Sequence, residues 1–231
     1  LILMSETQSI IDTNSNDSYQ DITGNLVSNA TTATYSVQGA SLSSAKAEYD
    51  YALAGQYGTL YINSSTGSYL YDPNDAAINA TLSSVSDVFT IAVTEGSTTA
   101  TNSLQIHVVG ENDQPTNIIL TDIPPEGVAE NMAAGSVIAT LATTDADNAD
   151  TFTYTLVAGN GTNDADNGLV EIVGSQIKVK AGAVINYETN PVLNLNVKVT
   201  DAGGLTYTKA FALDVTNVNE APTITSGSTG S

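Results

Sequence analysis

"LTYTKAFALDV", Leu205 to Val215, decides the fold class. Leu205, Tyr207, Phe211, Leu213 and Val215 fall on one phase of a strict alternation; Thr206, Thr208, Ala210, Ala212 and Asp214 fall on the other. A helix, with its period of about 3.6, scatters both sets around its axis, whereas a strand sorts them onto two faces. Lys209 stands on the apolar phase, where its stem is expected to lie over the sheet edge with the amine in water. The same alternation recurs in "DVFTIAVT" (Phe89, Ile91, Val93), "SLQIHVV" (Leu104, Ile106, Val108), "DTFTYTLV" (Phe152, Tyr154, Leu156) and "LNLNVKVT" (Leu193, Leu195, Val197, Val199). Turn clusters such as "NSSTG" (Asn63–Gly67) and "VGSQ" (Val173–Gln176) separate these runs. Short half-buried strands with frequent turns predict an all-β chain of antiparallel sandwiches.

An internal repeat sets the domain count. "NDQPT" at Asn112–Thr116 returns as "NEAPT" at Asn219–Thr223, about 107 residues on, which is one sandwich module. In each copy a proline follows a β run and precedes a new segment, as at a module boundary. The expected domains are 1–114 and 115–222, in tandem and extended, followed by a flexible tail over 223–231. The opening "LILM" is too short for a signal peptide and reads as a strand fragment.

The charge balance narrows the partners. The chain has 231 residues, with 25 acidic residues against five lysines, no arginine and a formal net charge of −20. Nucleic acid and anionic membranes need basic patches, so neither is expected as a partner, and cations are favoured. No apolar run approaches the ~18 residues of a membrane span. Cysteine is absent, so thiolate metal sites and disulfides are absent too. In "TTDADNAD" (Thr143–Asp150) three aspartates crowd one segment. Two carboxylates about 4 Å apart repel by roughly 1 kcal/mol in water and about 4 at an effective dielectric of 20. Either the loop is a solvated turn, or a cation offsets the repulsion. In an extended Asp-x-Asp segment Asp145 and Asp147 point to one side, and calcium takes six to eight oxygens of this kind.

Beyond these patterns, the second module resembles a bacterial cadherin-like repeat. The resemblance rests on "VAEN" (Val128–Asn131), "TTDAD" (Thr143–Asp147), "DNGLVEIVGSQIKV" (Asp166–Val179), "INYET" (Ile185–Thr189), "VKVTDAGGLTY" (Val197–Tyr207) and "VTNVNEAPT" (Val215–Thr223). The first module is similar to a VCBS-type repeat through "YGTLYINSSTGSYLY" (Tyr57–Tyr71), "SDVFTIAVTEG" (Ser86–Gly96) and "LQIHVVGENDQP" (Leu104–Pro115), with Glu95 where that family usually has aspartate. Together they resemble the extender regions of large repeats-in-toxin adhesins, which leave Gram-negative cells by type I secretion and fold outside in calcium. The resemblance implies an immunoglobulin/cadherin-like sandwich and Ca2+ ligands at the junction: Asn112, Asp113, Asp145, Asp147 and Asp201. It implies a second half-site of Glu130 and Glu188 with Asn217, Asn219 and Glu220; there the family has an aspartate before "YE" and this chain has the neutral Asn186. The second "DADN", at Asp164–Asn167, reads as a polar loop or as a third ion site. Asp87, Glu95 and Glu111 are unassigned acids of the first module.

The function implied is a calcium-rigidified spacer of a bacterial surface adhesin, extracellular, monomeric, joined to neighbouring modules and serving cell adhesion and biofilm formation. The alternative is an adhesive module that holds a glycan or peptide through a tyrosine-rich face or a loop-bound calcium. Many of the 11 tyrosines fall between Tyr35 and Tyr71, where cross-strand pairing is the plainer reading. The lone His107 alternates with Ile106 and Val108 and so points away from the apolar stripe. With one histidine, no cysteine and no Ser–His–Asp order, no catalytic role is expected.

Overall fold

The computed structural model describes residues 1–15, 17–147 and 150–221. The expected tail over 223–231 lies outside them. The chain divides into two compact units, one of Leu1–Gln114 with Asp145–Asp150, the other of Pro115–Thr144 with the described residues from Thr151 on. The sequence assigns the loop Asp145–Asp150 to the second module, yet it groups with the first unit.

In the first unit the strands are β1 (Glu6–Ile11), β2 (Ile22–Asn25), β3 (Thr34–Val37), β4 (Ser41–Leu42), β5 (Tyr51–Ala54), β6 (Gly58–Ile62), β7 (Ser68–Pro73), β8 (Val85–Glu95) and β9 (Thr98–Val109), with a short helix α1 (Asp75–Asn79) after β7. They form a four-stranded sheet in the order β1-β9-β8-β3 and a five-stranded sheet in the order β2-β7-β6-β5-β4. β1 runs parallel to β9, and the remaining pairs are antiparallel. The alternation read from the sequence becomes the core. Phe89, Ile91, Val93, Leu104, Ile106 and Val108 are buried, together with Leu60, Ile62, Tyr69 and Tyr71 of the facing sheet. Each buried Leu or Ile contributes about 1.5–3 kcal/mol by leaving water.

The tyrosines are largely a core device. Tyr69 and Tyr71 are fully buried, and Tyr35 and Tyr57 nearly so. Tyr71 meets Phe89 edge-on, with centroids 6.1 Å apart. Tyr51 and Tyr69 both pair with Ile62 on the inward phase, whereas Tyr61 pairs with Ala52 and Leu70 on the outward phase. They therefore divide between two faces of the sheet. Glycines make room for the rings. A Cβ on Gly58 would lie 2.6 Å from the Asp72 carbonyl and overlap the Tyr71 ring, and one on Gly24 would lie 2.7 Å from Cε1 of Tyr69.

The second unit contains β10 (Asn117–Thr121), β11 (Val128–Ala129), β12 (Val137–Thr144), β13 (Thr153–Leu156), a 3-10 turn at Asn167–Leu169, β14 (Val170–Val173), β15 (Gln176–Val179), β16 (Val192–Thr200) and β17 (Thr206–Thr216). Its two four-stranded sheets run β10-β12-β15-β14 and β11-β17-β16-β13. Leu193, Leu195, Val197 and Val199 of β16 are fully buried against Ile118, Ile138, Ile177 and Val179. "VGSQ" is the β14–β15 hairpin: Val173 pairs with Gln176, and Gly174 takes the positive φ of 61° that the tight loop requires.

Lys209 departs from the expectation. Its amine donates to Oδ1 of Asn117 (2.9 Å) and to the Ile118 carbonyl (2.8 Å), and lies 5.2 Å from the Phe211 ring centroid. The ammonium clips β17 to β10 instead of resting in water, because an apolar-phase lysine reaches unpaired edge oxygens as easily as solvent.

Packing rings against glycines gives a direct test. Gly58→Val should cost about 1–3 kcal/mol through overpacking. Gly168→Ala, where an added Cβ meets nothing within 4 Å, should be near neutral in the same thermal melts.

Candidate metal centres

In the first unit an acidic pocket begins where strand pairing ends. The Asp12 N–H donates to the Val109 carbonyl (3.0 Å), so the β1–β9 ladder runs one residue past β1 and holds Asp12 at 3% exposure. Asp12 accepts the Tyr19 hydroxyl on Oδ1 and the Glu111 N–H on Oδ2 (3.4 Å). Burial and this carboxylate raise the Tyr19 phenol well above its ordinary range. Asp17 folds its own turn, accepting the Thr13 N–H (2.9 Å) and hydroxyl (2.6 Å).

Asp113 is the centre of the pocket. It is 1% exposed, and its N–H donates to Oδ2 of Asp147 at 2.7 Å. Among the described residues, neither carboxylate oxygen of Asp113, nor Oδ1 of Asp147, has a hydrogen-bond partner, although all three are buried. Asp147 donates its own N–H to Oδ1 of Asp145 (3.0 Å), an Asx turn that folds the Asp-x-Asp segment on itself. Carboxylate oxygens of Asp145, Asp147 and Asp150 lie within 4.8 Å of one another. Burial pushes the Asp113 carboxyl up to about 7, helped by Asp12, Asp147, Asp145 and Asp17. Burial also raises Asp147, against the lowering effect of the Asp113 N–H. Buried oxygens that accept from no donor and repel one another suit a hard, oxygen-seeking divalent cation.

The second unit holds a different cluster. Oxygens of Glu130, Glu188 and Glu220 lie within 4.8 Å of one another. Glu130 is positioned by the N–H groups of Val218 (2.7 Å) and Tyr187 (3.0 Å), which hold its carboxyl below the usual range. Asn217 donates to Glu188 (2.7 Å), and Asn131 donates to Glu220 (2.9 Å). Asn219 is exposed. Asn186 spends its amide oxygen on the Thr189 N–H and hydroxyl, both at 2.9 Å, as a turn residue. Asp201 is 6% exposed and shapes the "DAGGL" turn, its Oδ1 accepting the Leu205 N–H at 2.8 Å. Asn112 caps the Asp113 carbonyl through its side-chain amide (3.0 Å).

Other acids are occupied. Asp87 accepts from the N–H groups of Gln56 and Tyr57 and from the Tyr71 hydroxyl. Glu95 accepts from the backbone of Thr31 and Thr32. In the second "DADN", Asp164 takes the N–H groups of Gly159 and Gly161, and Asp166 takes Asn190 and Asn194. These carboxylates are turn and sheet hardware, and the polar-loop reading of that segment fits them.

The structure thus brings Asp113, Asp145 and Asp147 together within the first unit, adds Asp150, and gathers Glu130, Glu188 and Glu220 in the second. Sequence reading missed Asp12. The signal was its inward phase, two residues after the buried Ile10, at the end of "SIID". His107 Nδ1 sits 3.2 Å from Ser86 Oγ, which also accepts from the Gln105 amide (3.0 Å).

No protein-family model and no curated protein sequence matches the chain. Solved structures do. Protocadherin Gamma B2 extracellular cadherin domains 3-6 superpose with a TM-score of 0.53 at 14% identity, over 94% of this chain and 47% of that one. PcdhgB3 EC1-4 gives 0.56 at 14% identity, over 93% and 48%. The chain spans about half the length of these structures. At such identities the likeness establishes a cadherin-like β-sandwich fold.

The raised carboxyl of Asp113 makes a pH prediction for the cation-free protein. The folded form keeps this proton up to about pH 7, whereas the unfolded chain releases it near pH 4. The resulting stability is present below about pH 4 and is lost as pH rises through about 7. In chelator, melting temperature should fall between about pH 4 and 7 and level off above, and Asp113→Asn should flatten that slope. Equal slopes for both proteins would show that Asp113 is not the titrating group.

Proposed function

We propose that this chain is a calcium-stiffened structural segment of a large extracellular bacterial adhesin, built from a VCBS-like and a cadherin-like module and exported by type I secretion. The observation that carries the reading is the pair Asp113 and Asp147, buried with three carboxylate oxygens that accept no hydrogen bond among the described residues. A chain with five lysines and no arginine has little else to offset such charge. Calcium is the ion of choice because every available donor is oxygen, and because carboxylates on a loop tolerate its variable coordination. In this reading Asp113, Asp145 and Asp147 hold the ion, Asp150 and Asp12 extend the ligand set, and Asn112 and Asp201 join as the resemblance implies. Glu130, Glu188 and Glu220 form a second site, with Asn217 and Asn219 beside it.

The consequence is mechanical. Asp113 lies in the linker after β9, and Asp145–Asp150 joins β12 to β13 of the second unit. An ion shared by linker and loop would remove freedom from both. Localisation outside the cell follows from the need for about millimolar calcium at sites of this kind. Among the described residues no helix is long and apolar enough to cross a membrane. Tyr69 and Tyr71 belong to the core and so lie outside any tyrosine-lined ligand face.

Calorimetry with calcium and point variants tests the reading. Asp147→Asn removes a proposed ligand without disturbing a strand. A hundredfold weaker site forfeits about 2.7 kcal/mol of ligand-derived stability at saturating calcium. Asp164→Asn, in the hydrogen-bonded second "DADN", should leave calcium affinity unchanged. Chelation should also broaden the small-angle scattering profile of the wild type. Indistinguishable melts in chelator and calcium, or equal losses for the two variants, would refute the calcium assignment.

A further inference from the structure

Among the described residues, the outward positions of one sheet carry no carboxylate and no amine. The outward residues of the β1-β9-β8-β3 sheet are Thr7, Ser9 and Ile11 on β1, Thr34 and Ser36 on β3, and the alternate residues of β8 from Ser86 to Thr94 and of β9 from Thr99 to Val109. Hydroxyls, small apolar groups and amides make up this face, and His107 is its one titratable side chain. Its strands do contain acids, but each is on the inward phase and engaged elsewhere: Glu6 accepts the Tyr69 hydroxyl (2.7 Å), Asp87 accepts that of Tyr71 (2.7 Å), and Glu95 accepts from Thr31 and Thr32. The other sheets behave differently. Glu171 pairs with Lys178 across β14 and β15, Lys198 and the exposed Asp214 stand on β16 and β17, and Asp72 of β7 bridges to Lys46. Ile11 and Val88 remain 69% and 62% exposed on the neutral face.

We infer that this face is where a second copy of the chain docks. Two copies at −20 each repel, and a sheet face without carboxylates is where they can approach at least electrostatic cost. The chemistry argues against other occupants. A polyanion needs lysine or arginine, and the face has neither. A neutral glycan gains from carboxylate acceptors and aromatic platforms, and both are missing. A partner as acidic as the chain itself gains most from the absence of acid. The face offers on the order of 500 Å² per copy, from about 33 Å² of sheet per outward residue. That is the low end for specific contacts and implies weak, reversible association. This departs from the monomer expected from sequence, and it does not depend on the metal reading.

Sedimentation equilibrium of the full chain in calcium, up to about 1 mM protein, is the test. Association should strengthen as salt rises from about 0.05 to 0.5 M, because screening shortens the reach of the repulsion. Val88→Glu, and independently Thr90→Glu, should weaken it at least tenfold, while Thr208→Glu on the exposed face of the second unit should not. Circular dichroism checks that each variant is folded. A monomer at every concentration and salt, equal weakening by Thr208→Glu, or capture of a neutral polysaccharide abolished by Val88→Glu without self-association would overturn the inference.

Discussion

Burying like charges with no cation of the chain's own beside them is the constraint on which the candidate site depends. Asp113 is held inside by backbone geometry. The ladder of β1 and β9 continues through Asp12, the chain turns, and the Asp113 N–H is committed to Asp147. None of those contacts neutralises the carboxylate itself. Two such charges about 4 Å apart cost about 4 kcal/mol at an effective dielectric of 20, against the 5–15 kcal/mol by which domains are usually stable. A proton relieves part of this in the cation-free protein, which is why burial lifts Asp113 to about 7. A divalent ion bound there, as proposed, would relieve more of it and would compete with that proton for the same oxygens.

Hydrogen-bond accounting separates this carboxylate pair from the rest. Asp87, Asp164, Asp166 and Glu95 accept from backbone N–H groups, amides or hydroxyls. Such donors fix a charged oxygen in place and offset part of its charge. The two "DADN" segments are therefore chemically distinct despite identical letters. Asp164 sits in a glycine-rich turn whose N–H groups converge on it. In the first segment, Asp147 faces other acids, and Asp113 contributes only one N–H.

That distinction marks how far the sequence was legible. Period-two alternation located the inward residues of β8, β9, β16 and β17, because burial on one face of a strand leaves a direct trace in the letters. Asp145 and Asp147 were legible as neighbours from their spacing, and Asp113 was expected beside them only through the family resemblance; the hydrogen bonds linking the three are seen in the structure. Asp12 was not legible, since its role comes from β1 lying parallel to β9, a pairing between residues far apart in the chain. Lys209 was half legible: its phase was plain, but the oxygens of Asn117 and Ile118 that receive its amine lie on another strand. The grouping of Asp145–Asp150 with the first unit is likewise a tertiary fact, invisible to a repeat boundary set by "NDQPT".

The distribution of charge follows from the same economy of cations. With few lysines, acids cannot be paired across the surface, and Lys46 already serves both Asp21 and Asp72. Acids must then go where something other than lysine accommodates them, as in turns rich in N–H donors or beside tyrosine hydroxyls within a sandwich. On β1, β8 and β9 both solutions are visible residue by residue, in Glu6 with Tyr69, Asp87 with Tyr71, and Glu95 with the Thr31–Thr32 backbone. Each inward or tied acid is one fewer on the outer face of that sheet. The neutral face follows from that sorting, and the Asp113 cluster is its exception, a place where buried carboxylate oxygens find no donor among the described residues.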